Sequence, residues 1–392
     1  MPQRSTWNRI GALSSVLVLL LASTVLPAMA SGSPDSSSSW NIKALDTKLP
    51  YAVYRAGSIW TGEKEYLISG RTDQQQVDTI IEFDPSTGKA VVKNAHVPQA
   101  RIMMGAAWLS PYAYIFGGQN LSTILDDVVR YDPKADKVEE MPYKMPFTRV
   151  GLSAVPIGDS ILVMGGRNET DYFSNVLRFY PSNGTFVPMA PTPVKGGGRT
   201  GVYTGNKVYL FGSCINAKGH DVLEVDPSAD TTQEIDVGPP HNFYWASSAW
   251  VGNSALVFGG DNYTVAMDQF LEFRPTTAGK GELKSIGKLP KPIENSEAFY
   301  DKRTGNAYLL GGRSTTTGLN DIYVISKNGT GTGTATVTPE RAFLVGGIML
   351  FVILIVAVQA YFDKAKKVAK DGEASDKWPT RPVKLSSKDK MR

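Results

Sequence analysis

The chain has one cysteine, Cys214, and three histidines, His96, His220 and His241, in 392 residues. A single thiol allows no intrachain disulfide, so stability has to come from buried apolar surface, which a body of roughly 290 residues can supply. Cys214 is then either a partly buried thiol or a link to another chain. The histidines fall at different stages of the sequence, whereas a metal site needs several converging ligands, so neither metal nor cofactor is expected. No paired acids, nucleophile elbow or phosphate-binding motif stands out. The run Lys195-Gly-Gly-Gly-Arg199 lacks the strand-to-helix setting of a phosphate loop and reads as a flexible loop. Between residues 31 and 362 there are 29 basic and 32 acidic residues, which leaves no concentrated basic face for a nucleic acid.

What the chain does have is two long apolar runs near its ends. Residues 1–30 carry Arg4 and Arg9, an apolar stretch from Leu13 to Leu26 and then Ala28-Met-Ala30, the pattern of a cleaved secretory signal peptide; an uncleaved anchor is the alternative. Residues 342–362 are uncharged and are followed at once by Lys364, Lys366, Lys367 and Lys370. As a helix this run spans about 31 Å, enough to cross a hydrocarbon core. The basic tail 363–392 places the C-terminus in the cytoplasm, giving a single-pass type I membrane protein with its body in the lumen or outside the cell. Lys388 and Lys390 sit in Lys388-Asp-Lys-Met-Arg392, which resembles the Lys-x-Lys-x-x retrieval signal and implies a coat-protein partner; a solvated basic tail is the plainer reading. The compartment is therefore endoplasmic reticulum and Golgi, or the plasma membrane. Sequons at Asn120, Asn168, Asn183, Asn262 and Asn328 fit such a glycoprotein.

Between the runs a short apolar strand ending in a small-residue doublet recurs six times, its last residue at Gly70, Gly118, Gly166, Ser213, Gly260 and Gly312. A period near 47 residues signals a repeat architecture. Fourteen or thirteen residues beyond most doublets stands a turn such as Phe83-Asp-Pro85, Tyr131-Asp-Pro133 or Val225-Asp-Pro227. Four short strands per unit predict an all-β, six-bladed propeller of four-stranded blades over residues 40–326. A Ser-rich leader, 31–39, precedes it and a Gly/Thr-rich stalk, 327–341, follows. The chain enters on a fourth strand at Trp40 and leaves on a third strand near Ile325. The N-terminal strand is therefore expected to close the ring as the outer strand of the last blade.

The glycine doublet after an apolar strand, the aromatic-Asp-Pro turn and the Trp40 strand resemble the kelch-repeat family. That family includes copper-radical oxidases similar to galactose oxidase, whose site uses tyrosines, a tyrosine–cysteine cross-link and histidines, one adjacent to a tyrosine. Here no histidine adjoins a tyrosine and Cys214 is alone, so that chemistry is not expected. The reading is a membrane-anchored binding module for a protein or glycan; the alternative is a carbohydrate-active enzyme working in the propeller funnel. Arg101 and Arg149, at equivalent points of two units, and Arg199, shifted from that point, could line a funnel for an anionic ligand, or tie adjacent blades together. His241, Phe243, Tyr244 and Trp245 form an aromatic cluster suited to an interface or a sugar ring, or to packing between blades.

Overall fold

The structure is a computed structural model that describes residues 40–213, 222–237, 244–277 and 279–327. The signal, leader, apolar run 342–362 and basic tail, the stalk after Lys327, and Cys214, His220, His241, Phe243 and Asn328 lie outside the described residues, while Lys327, expected to begin the stalk, ends the last strand.

Each unit forms one antiparallel four-stranded sheet, and there are six: residues 57–96, 105–144, 153–189, 200–234, 247–288 and, last, 297–327 joined by Trp40–Ala44. The sixth blade is completed from the other end of the chain. Trp40–Ala44 pairs antiparallel with Ile322–Lys327, Trp40 opposite Lys327 and Ile42 opposite Ile325. The ring is thus closed by its N-terminal strand, as expected.

Second strands such as Ser160–Met164 are buried along their whole length because both faces meet neighbouring blades. Six apolar clusters result. One, for example, sets Leu67, Ile81 and Phe83 of blade one against Phe299, Tyr308 and Leu310 of blade six. Fourth strands such as Lys137–Lys144 are mostly exposed and alternate in polarity, as an outer edge must.

The doublet is the stitch between blades. Its second residue donates its N–H to the next blade's entry loop: Gly70 to the Arg101 carbonyl (2.9 Å), Gly118 to Arg149 (2.8 Å), Gly260 to Ile293 (2.8 Å) and Gly312 to Val53 (2.9 Å). The approach leaves no room for a side chain, since a Cβ on Gly259 would stand 1.9 Å from the Ile293 carbonyl oxygen. Where the doublet decays to Ser69, the hydroxyl adds to the Gly70 bond, accepting from the Arg101 N–H and facing its carbonyl, both at 2.9 Å. The Asp-Pro turns close through their aspartates: Asp132 Oδ1 accepts from the N–H groups of Lys134 and Ala135, and Asp226 Oδ1 from those of Ser228 and Ala229.

Candidate functional site

On the doublet face, the loop entering each blade brings one residue to the axis: Arg55, Met103, Gly151, Gly198, Trp245 and Asn295. All six have φ between 51° and 69°. Each donates its N–H to the carbonyl of the one before, Met103 to Arg55 (2.9 Å), Gly151 to Met103 (2.7 Å), Gly198 to Gly151 (2.8 Å), Trp245 to Gly198 (3.4 Å), Asn295 to Trp245 (2.9 Å) and Arg55 to Asn295 (3.2 Å). The result is a closed circle of six hydrogen bonds around the mouth. Four of the six are not glycine, and a left-handed conformation costs such a residue about 1 kcal/mol or more. The circle holds them there because each bond would otherwise leave a backbone group unmet.

Arg55, Met103, Gly151, Gly198 and Trp245 separate two spaces. Below is a central channel of about 420 Å³ walled by the first strands. Above is a mouth pocket of about 390 Å³, which also meets Gln119, Arg167, Tyr172 and Tyr263. The Trp245 indole lies across the mouth in the space left by two glycines; a Cβ on Gly198 would be 3.0 Å from it and one on Gly151 3.2 Å. Tyr244 is buried behind it and packs against Tyr263, ring centres 3.8 Å apart and planes tilted by 41°.

Of two acid pairs, Glu65 and Glu297 line the channel, while Glu294 and Asp261 sit in loops of the mouth face outside the lining of either space. Glu294 flanks the mouth, and burial, reinforced by a hydrogen bond and charge from Asp261, pushes its carboxyl up to about 7 against the pull of Arg55 and Arg313. In the channel wall, Glu65 and Glu297 converge on Ser58 from blades one and six. Burial pushes Glu297 up to about 8, with the Ser58 hydroxyl pulling back. Glu65 is held well above the carboxylate range by burial, opposed by Ser58 and aided by Glu297. It occupies a strand position where the other blades have Ala113, Ile161, Val208, Ala255 and Ala307.

The residues singled out from the sequence separate into three groups. Arg101 and Arg149 are fully buried in the walls and line neither space. Arg101 binds both oxygens of Asp127, at 2.7 and 2.8 Å, and the Gly117 carbonyl. Arg149 binds the Gly165 carbonyl and packs over the Phe173 ring at 4.7 Å; burial lowers its guanidinium to about 10. Arg199 is mostly buried but does line the channel, and it reaches back to the Lys195 carbonyl over Gly196, where any side chain would collide with it. Each of the three glycines clears a different group: Gly196 the Arg199 guanidinium, Gly197 the backbone of Gly151 and Gly166, and Gly198 the Trp245 indole. Tyr244 and Trp245 stand at the mouth. Asn120, Asn168 and Asn262 each cap a turn on the mouth face by accepting backbone N–H bonds, and Asn183 does so on the opposite face. The mouth residues Arg55, Arg71, Arg167, Asp261, Glu294 and Arg313 were not assigned together from sequence. Their signal is positional: Arg71, Arg167, Asp261 and Arg313 each directly follow a doublet, and each bridges back to an entry loop.

Comparison with known proteins agrees with this architecture. The Kelch motif matches residues 105–145 and 148–193, the second and third blades. A search of curated proteins finds no match. Among solved structures, that of YjhT superposes with a TM-score of 0.62 at 15% identity, covering 72% of this chain and 97% of the other. At that identity the likeness establishes the fold.

Proposed function

We propose that this kelch-repeat propeller is a membrane-anchored, glycosylated binding module that takes a protein or glycan ligand on the face where the doublet loops converge. One observation carries the choice of face. Among the described residues, the exposed large apolar side chains are Val91, Val92 and Val187 on outer strands, and Leu121, Phe147, Tyr263 and Val265 on loops of the mouth face. The opposite face has none of them. Apolar side chains kept in water around a pocket mark a surface that meets a partner. The anchoring part rests on the sequence, in the uncharged run 342–362 and the lysines behind it. A coat protein reading Lys388 and Lys390 would return the molecule to the early secretory pathway.

The test is crosslinking capture by the full-length protein from its own membranes, with and without Trp245→Ala and Tyr263→Ala. A defined partner lost in both variants supports the mouth-face reading. Capture indifferent to both overturns it.

A second reading, an enzyme acting on carbohydrate in the funnel, draws on Glu297 and Glu65, since an acid kept protonated near neutral pH in a cavity can act as a general acid. Turnover of a sugar by the wild type, abolished by Glu297→Gln, would put that reading first.

A further inference from the structure

We propose that the mouth pocket is built for an anionic sugar, whose ring lies on Trp245 and whose carboxylate or sulfate ester is held by Arg55, with Arg71 and Arg313 behind it. The inference rests on the mouth-face binding reading and adds the ligand's chemistry.

The argument starts from what a structural arginine looks like in this fold. Arg101 is fully buried, is matched by both oxygens of Asp127, and faces neither space. Arg55 differs in each respect. It stands in the circle at the mouth with φ 56° and lines both the pocket and the channel; its buried Nε, like that of the wall residue Arg149, meets no hydrogen-bond acceptor. Arg313 is similar: its Nε is buried without an acceptor, its guanidinium lies over the Tyr54 ring at 5.6 Å, and its Glu294 contact is 3.9 Å long. Burial makes the protonated form of Arg55 less favourable, Glu294 and Tyr54 oppose this, and Arg313 and Arg71 stand close enough to add to it. Three guanidinium groups thus crowd one side of the mouth. The acids beside them are Glu294 and Asp261; burial and the neighbouring Asp261 raise the Glu294 carboxyl against the pull of Arg55 and Arg313, so it is a weak counter-charge to the arginines. Such an excess of planar, forked donors is satisfied by a carboxylate or an oxoanion.

The rest of the pocket selects a sugar over an extended acidic chain. Trp245 presents a flat indole beside the two ring glycines, with Tyr172, Tyr263 and Gln119 around it. Flat aromatic faces suit the C–H face of a pyranose, and an amide suits its hydroxyls. A space of about 390 Å³ is at the small end of ligand pockets and admits one or two sugar units.

The experiment is calorimetric titration of the full-length protein in detergent micelles with glucuronic acid, glucose 6-sulfate, glucose, inorganic sulfate and a polyglutamate peptide. Both anionic sugars should bind at least about tenfold more tightly than glucose and than free sulfate, as charge-assisted bidentate contacts imply. Arg55→Gln should bring them down to the glucose level, Arg55→Lys should retain part of the gain, and Trp245→Ala should weaken every sugar. Equal affinity for glucose and glucuronic acid, or indifference to Arg55→Gln, would overturn the anionic part; Trp245-dependent binding of glucose would then leave the mouth-face reading standing. Preference for free sulfate or polyglutamate, or no binding by any sugar, would overturn the proposal itself.

Discussion

Trp40 and Lys327 face each other across the outermost strand pair of blade six, the lysine Nζ 5.2 Å from the centre of the indole. They belong to Trp40–Ala44 and Ile322–Lys327, the two strands whose pairing closes the ring. Trp40 also packs into the cluster shared by blades five and six, against Leu309, Tyr323 and Ile325. Trp40→Ala should therefore lower the unfolding free energy by about 3 kcal/mol, the usual scale for removing a buried aromatic. Lys327→Ala removes only a cation over a ring at an exposed edge and should cost less than about 1 kcal/mol. Urea unfolding followed by tryptophan fluorescence distinguishes them; equal effects would mean the closing strand adds nothing through its core face.

Blades two and three offer a natural comparison of one buried arginine with and without its carboxylate. Arg101 donates to the Gly117 carbonyl and Arg149 to the Gly165 carbonyl, while Gly117 and Gly165 donate their N–H groups to the carbonyls of Asp127 and Asn175. Asn175 therefore stands where blade two has Asp127. Nε and Nη2 of Arg149 are buried without acceptors. Asn175→Asp should supply the missing charge and raise stability by about 1.5–3 kcal/mol, the range for hydrogen bonds to charged groups. Asp127→Asn should cost about 3 kcal/mol by stranding Arg101. Chemical denaturation of the two single variants measures both, and a destabilising Asn175→Asp would contradict the proposed register.

The strands, turns and closure were legible in the sequence because each is a local feature repeated at fixed spacing, with the same physical reason every time. The two wall arginines were also visible for that reason. Their repetition marks a structural role, since Arg101 and Arg149 do the same job in successive blades. The mouth was harder to read because its circle is conserved in backbone geometry and not in side chain: Arg55, Met103, Gly151, Gly198, Trp245 and Asn295 share only a left-handed φ and a hydrogen bond. Trp245 was noticed as an aromatic, whereas Arg55, two residues after the Val53 carbonyl that Gly312 binds, could be placed only once the repeats were in exact register. Glu65 was legible in principle, as a charge at a position that is otherwise Ala, Ile or Val. Its partner Glu297 lies at the other end of the chain, and no local spacing connects them.

The channel acids should make stability depend on pH. Glu297 has an ordinary value of 4.5 in an exposed setting and about 8 in the fold. Between these values the folded protein keeps a proton that the unfolded chain has released, so stability is complete below about pH 4.5 and declines as pH rises toward 8. The decline from this group is up to about 1.4 kcal/mol per pH unit within the window. Glu297→Gln, which imitates the neutral acid, should flatten the dependence and leave the variant more stable than the wild type at pH 8. The measurement is urea unfolding at several pH values between 5 and 8; parallel slopes for the two proteins would show that Glu297 ionises freely in the fold.

The mouth should respond to pH in the same direction but through affinity. Glu294 faces Asp261, Arg55 and Arg313, with Tyr54 beneath Arg313, and its carboxyl is held near 7 by burial and by Asp261. Below that value the shared proton leaves one negative charge on the pair, and the arginines are available to a ligand. Above it a second negative charge forms beside Arg55 and Arg313 and competes for them. The affinity for glucuronic acid, ionised throughout this range, should therefore fall about three- to tenfold between pH 6 and pH 8, equivalent to roughly 1 kcal/mol of added repulsion. Glu294→Gln should hold the pH 6 affinity across the range, because the amide gains no charge. Asp261→Asn should also remove the fall, since without its neighbour Glu294 loses both the hydrogen bond and the repulsion that raise it and ionises at a lower pH. The two variants should then share one plateau, because each leaves a single carboxyl, Asp261 or Glu294, beside the arginines. If glucuronic acid binding is flat in the wild type as well, the arginines at this mouth do not feel the acid pair.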